Sequence, residues 1–116
     1  MSSPAEVATL STHILDLDAG MPAAGVEVSL RQLEPTVREL SHATTDDDGR
    51  VTRWAEPFEL SPGSYELRFA INAWYKAQSK SCFYPQVTVA FFIDSVRHYH
   101  VPLLLNRHGY STYRGS

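Results

Sequence analysis

Apolar side chains recurring at every second position restrict this chain's fold more than any other feature. Val26, Val28 and Leu30 alternate with Glu27, Ser29 and Arg31. Tyr65, Leu67, Phe69 and Ile71 alternate with Glu66, Arg68 and Asn72, and Val87, Val89, Phe91 and Ile93 repeat the pattern after Pro85. Successive side chains of a strand point to opposite faces, so this period gives each segment one apolar and one polar face. Residues 97–105 are β-branched and apolar and read as a further strand. Pro102 lacks an N–H, which points to an edge or bulge position there. Residues 9–17 and 36–44 read as weaker strands. Turn residues separate the segments at Asp18-Ala19-Gly20, Asp48-Gly49, Ser61-Pro62-Gly63 and His108-Gly109. Only residues 73–80 read as a short helix. Many short strands punctuated in this way predict an all-β sandwich. Residues 1–8 read as a flexible lead-in and 9–116 as one domain.

At 116 residues the chain is the size of a single domain, and one this short gains apolar burial by self-association. Its net charge is −3 and it carries no basic block, which argues against nucleic acid as a main partner. Cys82 is the single cysteine, so there is neither a disulfide framework nor a cysteine zinc site, in keeping with a reducing compartment. No charged-then-apolar leader pattern precedes Thr9, and no apolar run has the length of a membrane span. The C-terminal residues are not a Ser-Lys-Leu peroxisomal address. The expectation is a cytoplasmic protein with no membrane partner.

Five histidines carry the candidate chemistry: His13, His42, His98, His100 and His108. On a strand, His13 faces away from Leu10 and Ile14, and His98 shares a face with His100. One reading makes them polar positions on a solvated sheet face. A second is general acid–base chemistry, because imidazole titrates near neutral pH. A third is a zinc site built from the His98/His100 pair with His13, which no His-Glu-x-x-His pattern or suitably spaced carboxylate supports. Arg50 follows the acidic turn Asp46-Asp47-Asp48-Gly49 and is either a neutralising charge or a directed guanidinium that binds a planar anion or urea-like group. Spacing leaves Arg53 an equal candidate.

The chain ends Tyr110-Ser111-Thr112-Tyr113-Arg114-Gly115-Ser116, directly after an apolar segment. Aromatic residues are out of place on a frayed end, so this tail reads as structured. If the strand period continues, Arg114 and Ser116 share one face, Tyr113 takes the other, and Ser116 also carries a terminal carboxylate. The competing reading is an edge strand whose tyrosines pack an interface. No Gly-x-Ser-x-Gly elbow, phosphate loop or dinucleotide fingerprint is present.

These pieces meet in one resemblance. Leu10-Ser11-Thr12-His13-Ile14-Leu15-Asp16, Gly20-Met21-Pro22-Ala23-Ala24-Gly25-Val26 and Thr45-Asp46-Asp47-Asp48-Gly49-Arg50 match in order. Phe83-Tyr84-Pro85 with Val87 and Val89, then His98-Tyr99-His100-Val101-Pro102-Leu103-Leu104-Leu105 and the Tyr-Arg-Gly-Ser end complete the set. Over nearly its whole length the chain resembles the transthyretin-related 5-hydroxyisourate hydrolases. The resemblance implies a transthyretin-like β-sandwich of two four-stranded sheets with one short helix. It also implies a homotetramer with active sites where subunits meet. It carries catalytic roles to His13, Arg50, His100 and Ser116, and substrate binding to Tyr113, Arg114 and Gly115. The Asp-Gly-Arg match selects Arg50 over Arg53, and the His-Val-Pro match selects His100 over His98. The chain departs from the family pattern at Asn106-Arg107-His108, where Ser-Pro and an aromatic are usual, and in its more acidic Asp46–Asp48 turn.

The implied reaction opens a ring amide of 5-hydroxyisourate, giving 2-oxo-4-hydroxy-4-carboxy-5-ureidoimidazoline in urate catabolism. No metal or organic cofactor is implied. The alternative is a transthyretin-like binding protein without catalysis, against which the histidine pair and the Tyr-Arg-Gly-Ser end count.

Overall fold

The computed structural model describes residues 7–115; residues 1–6 of the 1–8 lead-in and Ser116 lie outside the described residues, while Ala8 is buried. Two sheets face each other. The first runs in the order β2 (Met21–Pro22), β1 (Thr9–Asp16), β8 (His98–Asn106), β9 (Gly109–Thr112), with β5 (Arg50–Val51) also paired to β1. The second runs β4 (Arg38–Thr44), β3 (Glu27–Gln32), β6 (Gly63–Phe69), β7 (Val87–Ile93). The first sheet therefore carries one two-residue strand, β5, beyond the four expected.

The alternation that predicts the strands also builds the core. Val28 and Leu30 of β3, Tyr65, Leu67 and Phe69 of β6, Leu10 and Ile14 of β1, and Leu103 and Leu105 of β8 are buried between the sheets. Fully burying a side chain of this size contributes about 1.5–3 kcal/mol. Thr12 shares this inward face, and its Oγ1 donates to the Val101 carbonyl at 2.6 Å, which removes the cost of a buried hydroxyl.

Three local expectations change. The period-2 reading through Ile71 breaks at Phe69, and Ile71 instead opens the helix α1 (Ile71–Lys76). Ile71 and Tyr75 are both buried, so the apolar spacing here is four rather than two. The helix starts before the predicted 73–80 span, and Ser79, at a φ of 59°, turns the chain away after it. Pro102 is not at an edge, because β8 lies between β1 and β9. On the β1 side the Leu105 carbonyl accepts from Leu17 N, whereas the His100 carbonyl accepts from Gly115 N on the other side. Pro102 has the parity of His100, so its nitrogen faces the tail. The β8–β9 ladder stops at Leu103 opposite Thr112, and the missing N–H falls where no partner strand asks for it.

Candidate active site

Burying Leu10, Thr12 and Ile14 turns Thr9, Ser11 and His13 to the outer face of the first sheet. Strand β8 runs parallel to β1 and does the same: Tyr99 and Val101 are buried, while His98 is exposed and His100 half-buried. The register places Thr9 beside His98, Ser11 beside His100 and His13 beside Pro102. Residues 85 and more positions apart in sequence are thus brought onto one surface by a single parallel pairing.

Hydrogen bonds join them. Thr9 Oγ1 lies 2.6 Å from His98 Nδ1. Ser11 Oγ lies 2.9 Å from His98 Nε2 and 2.8 Å from His100 Nδ1. The three side chains His98, Ser11 and His100 therefore form one chain of contacts. Neither Thr9 nor Ser11 stood out in the sequence; the signal available was that both share the strand parity of His13.

On the far side of β1, His13 pairs directly with Arg50. The acidic turn supplies that position. The Asp46 carboxylate accepts from Asp48 N at 2.9 Å and from Arg50 N at 3.0 Å, closing an Asx-type turn. Gly49 follows at a φ of +72° and packs so tightly that a β-carbon would stand 2.5 Å from the Ile14 carbonyl oxygen. Only glycine fits both demands. The side chain of Arg50 is exposed while that of Val51 is buried, so Arg50 shares the outer face with His13. Arg53 lies beyond the end of β5 and has no such register partner.

His100 is the most perturbed of these groups. Its pKa is lowered, first by desolvation, then by the neighbouring charges of His13, His98 and Arg50, with the Ser11 backbone acting in the opposite sense. At neutral pH this holds the ring in its uncharged form. Among the described residues no three His, Cys, Asp or Glu side chains gather to hold a metal ion. One nitrogen of each of the His98 and His100 rings is instead bonded to Ser11.

The tail returns to this surface at one residue. After β9 the chain leaves the ladder, with Thr112 Oγ1 donating to the Pro102 carbonyl at 2.7 Å. It comes back at Gly115, whose N–H donates to the His100 carbonyl at 2.8 Å. Tyr113 and Arg114 both line a separate cavity of about 260 Å³ with Phe91, Phe92, Tyr99 and Val101. The expected alternation of Tyr113 and Arg114 does not continue, because β9 ends at Thr112. Of the tail residues singled out in the sequence, Gly115 touches His100, Tyr113 and Arg114 lie to the side, and Ser116 falls outside the described residues.

The unusual Asn106-Arg107-His108 turn is tied down by its own contacts. Arg107 Nε donates to the Ser81 carbonyl at 2.7 Å, and Arg107 N to Asp18 Oδ2 at 3.0 Å. This anchors the β8–β9 hairpin from which the tail departs. His108 and His42 are exposed and remote from the histidine cluster, His42 being on β4 of the other sheet. Among the described residues no helix is long and apolar enough to cross a membrane.

A family model described as the HIUase/transthyretin family matches residues 10–115. A probable 5-hydroxyisourate hydrolase of Caenorhabditis elegans is 44% identical over 117 residues, covering 98% of this chain and 86% of the relative. Among solved structures, Klebsiella pneumoniae 5-hydroxyisourate hydrolase superposes with a TM-score of 0.82 at 37% identity, covering 94% of each chain. Transthyretin from Sparus aurata superposes with a TM-score of 0.83 at 24% identity, covering 91% of this chain and 95% of the other, a likeness of fold alone.

Proposed function

The chain belongs to the HIUase/transthyretin family, and on that premise we propose that it hydrolyses 5-hydroxyisourate, opening the ring amide in urate catabolism. The product of that step is 2-oxo-4-hydroxy-4-carboxy-5-ureidoimidazoline. The observation that carries the reading is the surface on which His13, Arg50 and a desolvated His100 meet. Amide hydrolysis needs an activated water, a stabilised oxyanion and a proton for the departing nitrogen. In this reading neutral His100 takes the proton of the attacking water as the new C–O bond forms. The C–N bond then breaks, and His13 supplies a proton to the ring nitrogen. The Arg50 guanidinium, permanently charged and planar, holds the developing oxyanion or the flat substrate. Ser116 follows Gly115 directly and is assigned the orientation of water or substrate; a substrate-binding role for Tyr113 and Arg114 would need the tail to turn them from the cavity they line with Phe91 and Tyr99. The chemistry proposed uses no metal.

Among the described residues the candidate surface is an open sheet face, with Arg50 and His98 exposed. A second copy facing it would exclude water and complete the pocket, which supports a homotetramer with shared sites. The test is the ultraviolet decay of 5-hydroxyisourate, generated in place by urate oxidase, with and without the protein and with a chelator. Acceleration that survives the chelator is the expected result. Acceleration lost with the chelator would move the reaction to a metal. No acceleration by folded protein would favour a transthyretin-like binder.

A further inference from the structure

Ser11 Oγ stands between two imidazoles, 2.9 Å from His98 Nε2 and 2.8 Å from His100 Nδ1, and its hydroxyl has a single proton. With both rings neutral, that proton goes to one ring, and the other ring must donate in return. If Ser11 donates to His98 Nε2, then His100 donates from Nδ1 and its Nε2 carries a lone pair. His98, its proton then on Nδ1, donates to Thr9 Oγ1 at 2.6 Å. Reversing Ser11 reverses every bond in the series, leaving both rings protonated at Nε2. The two histidines are thus coupled in tautomer: both Nδ1–H or both Nε2–H. Among the described residues His100 Nε2 has no hydrogen-bond partner of its own, so its state is set from the other end of the chain.

We infer that Ser11 and His98 are positioning residues that couple the His100 tautomer to the series Thr9–His98–Ser11–His100, and that the series rests in its Nδ1–H setting, the one that leaves His100 Nε2 free to accept a proton. This rests on the hydrolase reading, in which His100 is the base. A base presented in the wrong tautomer loses most of its catalytic effect even when its geometry is unchanged. The placement explains why His98, exposed and outside the proposed reacting groups, sits where it does. Ser11 is 7% exposed, and its neighbours leave its hydroxyl no other described partner.

The experiment compares wild type with Ser11→Ala, Ser11→Thr and His98→Gln. It measures kcat and KM for 5-hydroxyisourate decay, and the ¹⁵N shifts of the histidine rings in unliganded protein above their titration range. In wild type, His98 and His100 are expected to show the same tautomer, Nδ1–H. Ser11→Ala is expected to lower kcat on the order of 10–100-fold, the usual cost of removing a group that orients a functional histidine, with KM little changed. Its His100 signals are expected to move toward mixed tautomers. Ser11→Thr keeps the hydroxyl and is expected to restore both. His98→Gln, at an exposed position that the fold tolerates, reaches Ser11 with an amide and is expected to leave an intermediate kcat. The acid limb of the pH profile reports the same site. The charged groups facing His100 there are His13 from β1, Arg50 from β5 and His98 from its own strand. Unchanged kcat and unchanged ring signals in Ser11→Ala, or wild-type rings that show opposite tautomers or are both Nε2–H, would overturn the inference. Wild-type protein that failed to accelerate the decay would instead overturn the hydrolase reading, and the spectra alone would then decide the tautomer coupling.

Discussion

Gly115 lies edge-on against the His100 ring: a β-carbon built on it would stand 2.6 Å from His100 Cδ2 and 3.3 Å from Cγ. The same residue donates its N–H to the His100 carbonyl. The tail therefore braces this histidine from both backbone and ring, and only a residue without a side chain can do so. Gly115→Ala must move either the ring or the tail by roughly an ångström. Displacements of that size cost about 10²-fold in catalysis. The expected outcome is a loss of that order in 5-hydroxyisourate turnover with unchanged far-ultraviolet circular dichroism and melting temperature. Normal turnover in the variant would remove the brace from the account.

The two proposed proton-transfer groups make separate predictions. General acid–base groups contribute about 10²–10⁴-fold each. His13→Asn and His100→Asn are expected to lose turnover within that range while keeping the fold, since both side chains point out of the core. A near-normal rate in either variant would exclude that histidine from proton transfer. If both act in one step, the double variant is expected to lose less than the product of the single losses.

Much of this was legible before the structure. The alternation in Glu27–Gln32, Gly63–Phe69 and Val87–Ile93 marks strands because one face of each must be covered and the other need not be. The same parity turns His13, His98 and His100 outward. What sequence could not supply was pairing. Ser11 is unremarkable until a parallel partner strand, 89 residues on, sets His100 beside it. Ile71 misleads because an apolar residue two positions past a strand looks identical whether the strand continues or a helix begins. Pro102 misleads because the edge rule concerns the N–H, and here the β8–β9 ladder spans 103–106 and stops one residue short of Pro102. Tyr113 and Arg114 depart from parity for the same reason, since alternation is a property of the strand and stops with it.

The depressed pKa of His100 fixes the sign of a pH effect. Its ordinary value is 6.5, and desolvation, then His13, His98 and Arg50, lower it in the folded protein. A base that is active when neutral then keeps its activity as pH falls through the ordinary histidine range and loses it only below. Removing one of the positive neighbours, as in His98→Gln, should raise the acid limb. Stability follows from linkage. Between the ordinary value and the lowered one the unfolded chain binds the extra proton, so stability falls as pH drops through that window and is level above it. His100→Asn is expected to flatten this dependence in denaturant titrations. A variant that titrated like wild type would place the dependence on another group.

The Asp46 turn separates orientation from charge. Asp46→Ala removes the acceptor for the N–H groups of Asp48 and Arg50 but leaves the guanidinium in place, whereas Arg50→Lys keeps the turn and the charge but not the planar fork. Both are expected to lower turnover, Arg50→Lys without loss of stability and Asp46→Ala with a loss of about 0.5–2 kcal/mol, in the range of other side-chain caps on backbone N–H groups. Gly49→Ala strains the same turn twice, through its positive φ and its approach to Ile14, and is expected to be the least stable of the three. Full activity in Arg50→Lys would reduce Arg50 to a source of charge.

Sharing of the site between copies is tested by dilution. Arg50 and His98 are exposed, and among the described residues no element roofs the sheet face that carries them. A water-excluded pocket would have to be closed by a facing copy, and activity would then follow the concentration of assembled protein rather than of chains. Specific activity is expected to be constant at high concentration and to fall on dilution with the midpoint of dissociation seen by sedimentation. Introducing a charge on the same face outside the proposed site and its positioning series, such as Leu104→Glu on β8, is expected to move both midpoints together. Constant specific activity down to concentrations at which only monomer sediments would place the whole site within one chain, and Gly115 and His100 would then have to shield the reaction unaided.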